Sequence, residues 1–298
     1  MTGFTADLAE RVASVRFEAL SGTQLERTRQ CILDWLGVTL AGAQEPVGRA
    51  VQAVLAEDAS DGLCTVIGAA ARVGPQAAAL ANGTASHAQD YDDISFWMQG
   101  HPSIGVASAV FAVGEQYGLS GREVVTALVA GYEASIRLGL AVGKRHYLGG
   151  WHTTGTVGSF GAAAGAGRAL GLDAEQMERA LGLAATQAAG LKVSFGTMGK
   201  ALHGGRSASV GVLSALLAAR GFSAGKGAIE GPQGFAATQA EGFDPARPDD
   251  VMGGRLGVES ICFKRHPACG ATHATIDALQ SAYADHGLSG DDVEHVRL

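Results

Sequence analysis

The chain has 298 residues, with 22 Lys and Arg against 29 Asp and Glu, so its formal net charge is −7. An acidic chain with 17% charged residues argues against a nucleic-acid-binding surface, and 47% hydrophobic residues argue against disorder. The length suits one large domain or two ordinary ones. The 44 glycines, with only 6% aromatic residues, favour closely packed helices.

The sequence also predicts a compartment. The N-terminus lacks the cationic and apolar regions of a secretory signal peptide. Residues 147–167 carry no Asp, Glu, Lys or Arg, but they are rich in Gly, Thr and Ser, which predicts a buried helix rather than a membrane span. No cysteine pair has metal or redox spacing, so we expect reduced thiols in a cytoplasmic protein. The cysteines are Cys31, Cys64, Cys262 and Cys269.

Helical periodicity dominates the chain up to about residue 260. Apolar residues recur at helical spacing in Thr23–Leu40, and the short run Cys64–Gly68 is the best strand-like segment in the first half. Capping boxes at Ser120–Glu123 and Asp173–Gln176 predict two further helix starts, and His203–Arg220 reads as another long apolar helix. The fold class is therefore mainly α, with an all-helical domain over residues 1–260.

The pattern changes in residues 261–298. Ala271–His286 is again helical, whereas Val293–Leu298 alternates like the start of a β-strand. A strand needs a partner to pair with. We therefore expect these residues to begin a smaller α/β domain that the sequence leaves incomplete.

Familiar nucleotide and metal motifs are missing. The Gly-rich run Gly165–Gly171 has one residue too many for a dinucleotide loop, and Gly199-Lys200 lacks the flanking residues of a phosphate loop. The segment Asn82–Ser103 is more informative, because it contains two histidines and three aspartates. It lacks the spaced oxygen ligands of a calcium loop. A solvated acidic turn that caps the next helix is the alternative to a functional loop.

Three cationic segments each precede a predicted helix start. They are Lys144–His152, Thr197–Arg206 and Phe263–His273. Cations and helix N-termini both attract anions. A single Lys or His is usually an ordinary surface or core residue, but three such clusters in a charge-poor acidic chain predict a pocket for a small polyanion, such as a di- or tricarboxylate.

In this order, the segments resemble the MmgE/PrpD family. The matching pieces are Asp34–Gly37, Asn82-Gly83 with His87, Asp90–Asp93, His101–Ser103, Gly150–Gly155, Lys200–Arg206 and Lys264–His273. The resemblance implies a large all-α domain with a smaller α/β lid, usually in a homodimer. It also implies chemistry on a small polycarboxylate, as in 2-methylcitrate dehydratase and its relatives, through removal of a proton next to a carboxylate. Because the sequence shows no iron–sulfur ligand set, dinucleotide loop or metal motif, we expect this chemistry to need no cofactor and no metal.

The resemblance and the chemistry together nominate site residues. Lys200, Lys264, His101 and Arg206 are candidates for holding carboxylates, since such preorganised charge is usually the largest catalytic contribution. Asp90 and His152 are the best candidates for proton transfer, with Tyr147 and Lys264 as an alternative two-base pair. The full prediction is Asp90, His152, Lys200, Tyr147 and Lys264 as catalytic residues, and His101, His203, Arg206, Cys269 and His273 as substrate-binding residues.

Two departures from the family pattern leave alternatives open. The stretch Ile94–Gly100 is longer and more apolar than the polar stretch usual in the dehydratase and decarboxylase members. An epimerase or isomerase with an iminodisuccinate-like substrate therefore competes with the lyase. The lid has barely begun by residue 298, so a non-catalytic helical domain that binds a partner or a carboxylate is the third hypothesis.

Overall fold

The computed structural model describes residues 3–57, 62–295 and 297. It is 66% helical and 3% strand, which confirms the mainly α prediction. The helices are α1 (Phe4–Ala13), α2 (Gly22–Gly42), α3 (Pro46–Glu57), α4 (Pro75–Ser86), α5 (Pro102–Tyr117), α6 (Gly121–Leu148), α7 (Thr153–Ala169), α8 (Ala174–Ala185), α9 (Met198–Ala219), α10 (Phe235–Gln239), α11 (Arg247–Met252) and α12 (His273–His286).

The two short strands are β1 (Cys64–Thr65) and β2 (Arg72–Val73), which pair antiparallel. Short 3-10 helices cover Phe17–Ala19, Lys192–Ser194, Gly257–Ser260, Gly270–Thr272 and Gly290–Asp292. The predicted strand over Val293–Leu298 is wrong for residues 293–295, which form no strand, and residues 296 and 298 lie outside the described part of the chain. Among the described residues no neighbouring strand lies there to pair with.

Predicted caps start two of the helices. Ser120 and Glu123 form the capping box of α6, and Asp173 and Gln176 form that of α8, so side chains satisfy the exposed amides of the first turns. Helix α6 is long and apolar enough to cross a membrane by length and composition alone. However, 89% of its most apolar window is buried against other helices, which accounts for its hydrophobicity.

Helix α7 lies at the centre of the helical body, in contact with α5, α6, α8 and α9. Small residues make this possible. A Cβ added at Gly211 would lie 2.4 Å from the Cβ of Ala162, and one added at Gly205 would lie 2.3 Å from the carbonyl oxygen of Leu80. Backbones at such crossings touch directly, which is the physical reason for the high glycine content.

Burial ends abruptly near residue 261. Ile261 is still in the core, but among the described residues after it only Lys264 is buried. Helix α12 buries none of its residues. The predicted domain boundary near residue 260 remains a prediction, and this loss of packing is consistent with it.

Candidate active site

Asp90 lies between two lysines at the centre of the site. Its Oδ1 atom is 2.8 Å from Lys200 Nζ and 2.5 Å from Lys264 Nζ. Burial on its own would raise the pKa of Asp90, but the two ammonium groups outweigh it and hold that pKa below the usual value. Asp90 therefore stays ionised and is a poor base. The three groups together leave one excess positive charge.

A backbone bridge brings Lys264 to this point. Ile94 and Cys262 exchange two amide-to-carbonyl hydrogen bonds, at 2.9 and 2.8 Å, so the segment after the helical body lies beside the loop that carries Asp90. The Lys264 side chain is then fully buried, and it also donates to the Asp90 carbonyl. Asp90 itself has φ +51°, a left-handed conformation that aspartate tolerates better than most residues.

Asp92 holds two imidazoles. Its carboxylate lies 3.0 and 3.1 Å from the Nδ1 atom of His87, and 2.9 Å from the Nδ1 atom of His101. Asp92 and His87 are both buried, and burial lowers the pKa of His87 to about 4. The pKa of Asp92 is well below its usual value, because His101 and His87 outweigh the effect of burial. Asp92 is thus an ionised buried carboxylate that orients two rings.

His152 and His203 form a second imidazole pair, with their Nδ1 atoms 3.0 Å apart. Burial lowers the pKa of both rings, and the neighbouring Lys200 adds to the effect. The His152 ring stacks on His87, with centroids 5.6 Å apart, and meets Phe195 edge-on. This stacking connects the His152–His203 pair to the two imidazoles that Asp92 holds.

Three helices begin at the site. His101 is the N-cap of α5 and His152 that of α7, while Lys200 lies in the first turn of α9. Pro102 fixes the first residue of α5 and keeps His101 extended. The exposed amides at these helix starts carry partial positive charge, which adds to that of the two lysines. The site is built to attract an anion.

A cavity of about 380 Å³ opens at the cluster, lined by His87, Asp90, Thr197 and Lys200 among others. This size lies in the ordinary range for small-molecule pockets. The ammonium groups, the amides at the helix starts and the volume together suit a small polycarboxylate.

A second buried carboxyl group lies beneath the cleft. Asp93 accepts hydrogen bonds from the backbone and the hydroxyl of Ser103, and that hydroxyl is 2.8 Å from the Tyr132 hydroxyl. Burial, together with the nearby Asp34, raises the pKa of Asp93 to about 8. Burial likewise raises the pKa of Asp34 to about 6. Asp93 therefore holds a proton at neutral pH and anchors the first turn of α5.

The structure brings together six of the ten predicted site residues: Asp90, His101, His152, Lys200, His203 and Lys264. Tyr147 is half-buried, with Lys192 Nζ 3.9 Å from its ring centre, and burial raises the pKa of its phenol. Cys269 is exposed. Four of the ten predicted residues therefore do not join the cluster: Tyr147, Arg206, Cys269 and His273.

Arg206 is exposed on α9 and makes no contact with the cluster in the described part of the chain. This position corrects the predicted site, and the reason is helix geometry. Each residue turns a helix by about 100°, so residues 200 and 206 differ by one full turn and about 240°, and their side chains face different directions. His273 packs its ring against His266 and approaches the carbonyl of Ala268 at 3.2 Å, away from the lysines.

His87, Asp92 and Asp93 carry the site and were not nominated from the sequence. The predictive signal was present, since all three lie in the informative segment between Asn82 and Ser103. What was missing was the direction of each side chain. Neighbouring residues in a loop can face a ligand, a second ring or the core, and only the fold decides among them.

The same segment also meets the distance requirements of a metal site. One ligand atom each from His87, Asp90, Asp92 and His101 lies within 4.8 Å of the others. A divalent cation there would face the ammonium groups of Lys200 and Lys264, which already neutralise Asp90. These charges favour an anion over a metal, and metal-free chemistry stays a prediction.

Comparison with known proteins now decides the family. The profile of the MmgE/PrpD N-terminal domain matches residues 6–248. The chain belongs to the MmgE/PrpD family. It is 32% identical to the cis-aconitate decarboxylase of Aspergillus terreus over 94% of this chain, and 31% identical to the cis-aconitate decarboxylase-like protein oryM of Aspergillus oryzae over 98% of it. The human cis-aconitate decarboxylase is 28% identical over 94% of this chain.

The matched MmgE/PrpD relatives are longer proteins. The chain spans 60% of the Aspergillus terreus and human relatives and 64% of oryM. The residues compared include the whole cluster around Asp90.

Proposed function

We propose that this member of the MmgE/PrpD family is a lyase that acts on a small di- or tricarboxylate. The observation that carries the proposal is the convergence of Lys200 and Lys264 on one point beside a 380 Å³ cavity, next to a group of neutral imidazoles. The names of the relatives support the same substrate class.

Breaking a bond next to a carboxylate leaves an electron pair that the carboxylate must accept. Preorganised cations lower the energy of that charge more than water does, because they need no reorganisation. Lys200 and Lys264 would supply this charge. Asp90 would position the two ammonium groups rather than transfer a proton, which revises the role inferred from the sequence, since an ionised carboxylate between two lysines binds protons weakly.

The imidazoles would handle the proton. His101 and His152 each present a second ring nitrogen beyond the one that is hydrogen-bonded, and imidazoles commonly transfer protons in catalysis. Of the two, His152 would accept a proton less readily, because burial lowers its pKa. Decarboxylation requires a proton at carbon after CO2 leaves. Dehydration requires a proton for the departing hydroxide.

Decarboxylation of cis-aconitate is the first reaction to test, because the similar proteins carry that name. Dehydration of 2-methylcitrate is the second, from the resemblance of the motifs. Epimerisation, in which a C–H bond is broken and re-formed and no group is lost, is the third.

One experiment separates the three reactions. The protein is incubated in deuterated buffer with cis-aconitate or 2-methylcitrate, and proton NMR follows loss of CO2, formation of an alkene, or exchange of the α-proton alone. For the epimerase arm, a chiral amino-dicarboxylate is followed for exchange and inversion. Lys200→Ala should lower the rate at least 100-fold, whereas Lys226→Ala, at an exposed lysine elsewhere, should not change it. Absence of turnover with all of these acids, or turnover that Lys200→Ala leaves intact, would contradict the proposal.

We also propose that the protein is a homodimer, as the family resemblance implies. Light scattering at micromolar concentration should give twice the mass of the chain. A monomer mass would contradict this part of the proposal and leave the lyase assignment standing.

A further inference from the structure

His87 contains a buried polar atom that nothing satisfies. The residue is 1% exposed, and its Nε2 atom has no hydrogen-bond partner among the described residues. An unpaired buried acceptor or donor costs about 1–3 kcal/mol, so it usually has a reason. His87 is also part of the cavity wall, together with Asp90 and Lys200. The unpaired atom therefore belongs to a residue of the cavity wall, and the atom itself is covered in this structure.

The hydrogen bonds of the other ring nitrogen define the state of this atom. His87 Nδ1 faces both oxygens of the Asp92 carboxylate, which can only accept. Nδ1 must therefore carry the proton. Burial keeps the ring neutral, as its pKa of about 4 indicates, so Nε2 has a free lone pair. His87 presents an acceptor.

Asp92 also holds a proton on the Nδ1 atom of His101. The Nδ1 atom of His101 is 2.9 Å from the Asp92 carboxylate and 3.0 Å from the Asp93 carbonyl oxygen, both of which are acceptors. One buried carboxylate thus holds a proton on the Nδ1 atoms of two rings. The arrangement resembles the orienting aspartate of a catalytic triad in its logic, with two imidazoles in place of one.

His87 Nε2 is a hydrogen-bond acceptor among groups that are mostly donors. Lys200 and Lys264 are donors, and the amides at the starts of α5, α7 and α9 are donors too. All of these suit carboxylate oxygens. A lone pair at His87 would repel a carboxylate oxygen, so the matching ligand atom at this place must carry a hydrogen.

We propose that Asp92 is a positioning residue and that His87 Nε2 accepts a hydrogen bond from an O–H group of the bound polycarboxylate. The O–H is a hydroxyl group or a protonated carboxyl group of the ligand. The inference rests on the proposed function for the class of ligand. It adds a specificity element that distinguishes one polycarboxylate from another.

The tautomer is tested without any ligand. Nitrogen-15 NMR of the histidine-labelled protein should show His87 protonated at Nδ1 and unprotonated at Nε2 at pH 7, with exposed His286 as the internal reference. Asp92→Asn should change this state, because the introduced side-chain amide can donate to Nδ1 and drive the proton to Nε2. A wild-type His87 that is protonated at Nε2 would overturn the inference.

The ligand contact is tested by calorimetry with two probes. Citrate and tricarballylate are both tricarboxylates, and only citrate has a hydroxyl group. The wild type should bind citrate 5- to 100-fold more tightly, which corresponds to one lost hydrogen bond with an unpaired partner. His87→Phe should reduce this ratio to about 1. His87→Gln, which places an amide oxygen near the former Nε2 position, should keep part of the preference.

The pH dependence distinguishes the two sources of the O–H group. If a protonated carboxyl group is the donor, both probes should bind more tightly as the pH falls from 7 to 5.5, and His87→Phe should remove this His87-dependent part. Asp92, His101, His152 and Lys200 face the same ring, so the comparison uses the difference between wild type and variant.

Binding of both acids with neither effect would overturn the ligand contact. Failure of both acids to bind would overturn the proposed function, whereas the NMR result would still decide the tautomer. A change only in melting temperature, with unaltered affinities, would assign His87 a purely structural role.

Discussion

Two histidine-containing regions of the chain look alike in sequence and differ in structure. The cleft cluster, which we define as His87, Asp90, Asp92, His101, His152, Lys200, His203 and Lys264, draws on α7, α9 and the loop before α5. In the terminal segment, residues 265–295, His266 lies 2.8 Å from Asp277 and its ring meets that of His273 edge-on. Half of the residues in the cleft cluster are buried and none is exposed, whereas no described residue of the terminal segment is buried.

The boundary between the two regions falls between adjacent residues. Lys264 is fully buried against Asp90, and Arg265 is 75% exposed. Charged residues of the same type therefore interact more strongly in the cleft cluster than in the terminal segment, because charges attract each other much more where water is excluded. The comparison teaches that a cluster of charged residues becomes a site only where several elements enclose it.

The largest expected effect separates these two neighbours. Lys264→Ala should weaken citrate binding 10- to 100-fold, because it removes one charge-assisted hydrogen bond from the buried region. Arg265→Ala, one residue away and exposed, should leave the affinity within about twofold. Calorimetry on both variants, with circular dichroism to confirm folding, measures the difference. Equal losses would mean that the anion binds across both regions.

The second prediction concerns stability. Asp90→Asn should lower the free energy of unfolding by about 1–3 kcal/mol, because Lys200 and Lys264 would face each other without a counter-charge. This loss is smaller than that expected for a fully buried ion pair, because Asp90 is partly exposed to water. Asp277→Asn, the matched change in the terminal segment, should not measurably alter stability. Urea denaturation tests both, and a stable Asp90→Asn protein would show that the two ammonium groups do not repel.

The third prediction is a pH dependence beneath the cleft. In the folded protein burial raises the pKa of Asp93 to about 8, whereas an unfolded aspartate has its ordinary pKa of about 3.9. The folded state thus binds more protons between these values, so this group stabilises the fold at low pH and loses that contribution as the pH rises towards 8.

Asp93→Asn removes the titration and keeps the shape. The stability of the wild type relative to this variant should fall with rising pH, by up to about 1.4 kcal/mol per unit between pH 5 and 7.5. Denaturation curves at the two pH values give the difference. A pH-independent difference would show that Asp93 is ionised in the folded protein.

The smallest effect compares cysteines. Cys31 is buried beneath the cleft, where burial, reinforced by the charge of Asp93, raises the pKa of its thiol, whereas Cys269 in the terminal segment is exposed. A thiol reagent should label exposed Cys262 and Cys269 in the folded protein, and buried Cys31 and Cys64 only after unfolding. Rapid native labelling of Cys31 would show that the floor of the cleft opens.

Local chemistry made much of the helical body predictable. The capping boxes at Ser120 and Asp173 lie at real helix starts, and the periodic apolar residues mark buried faces, because both signals depend on neighbours within about one turn. The strand predicted over Val293–Leu298 failed in its described part for the complementary reason. Alternation alone forms no strand without a partner.

The sequence by itself determined the fold class and the family resemblance, and it predicted polyanion binding by three cationic segments, since these inferences follow from composition, periodicity and motif order. Only the tertiary structure decided which residues of those segments share one cleft. It separated Lys264 from Arg265, placed Arg206 on another face of α9, and turned the two histidines His87 and His101 towards the single carboxylate of Asp92. The physical reason is that side-chain direction and burial depend on contacts between residues far apart in the chain, and these contacts set both the charge state and the reach of each group.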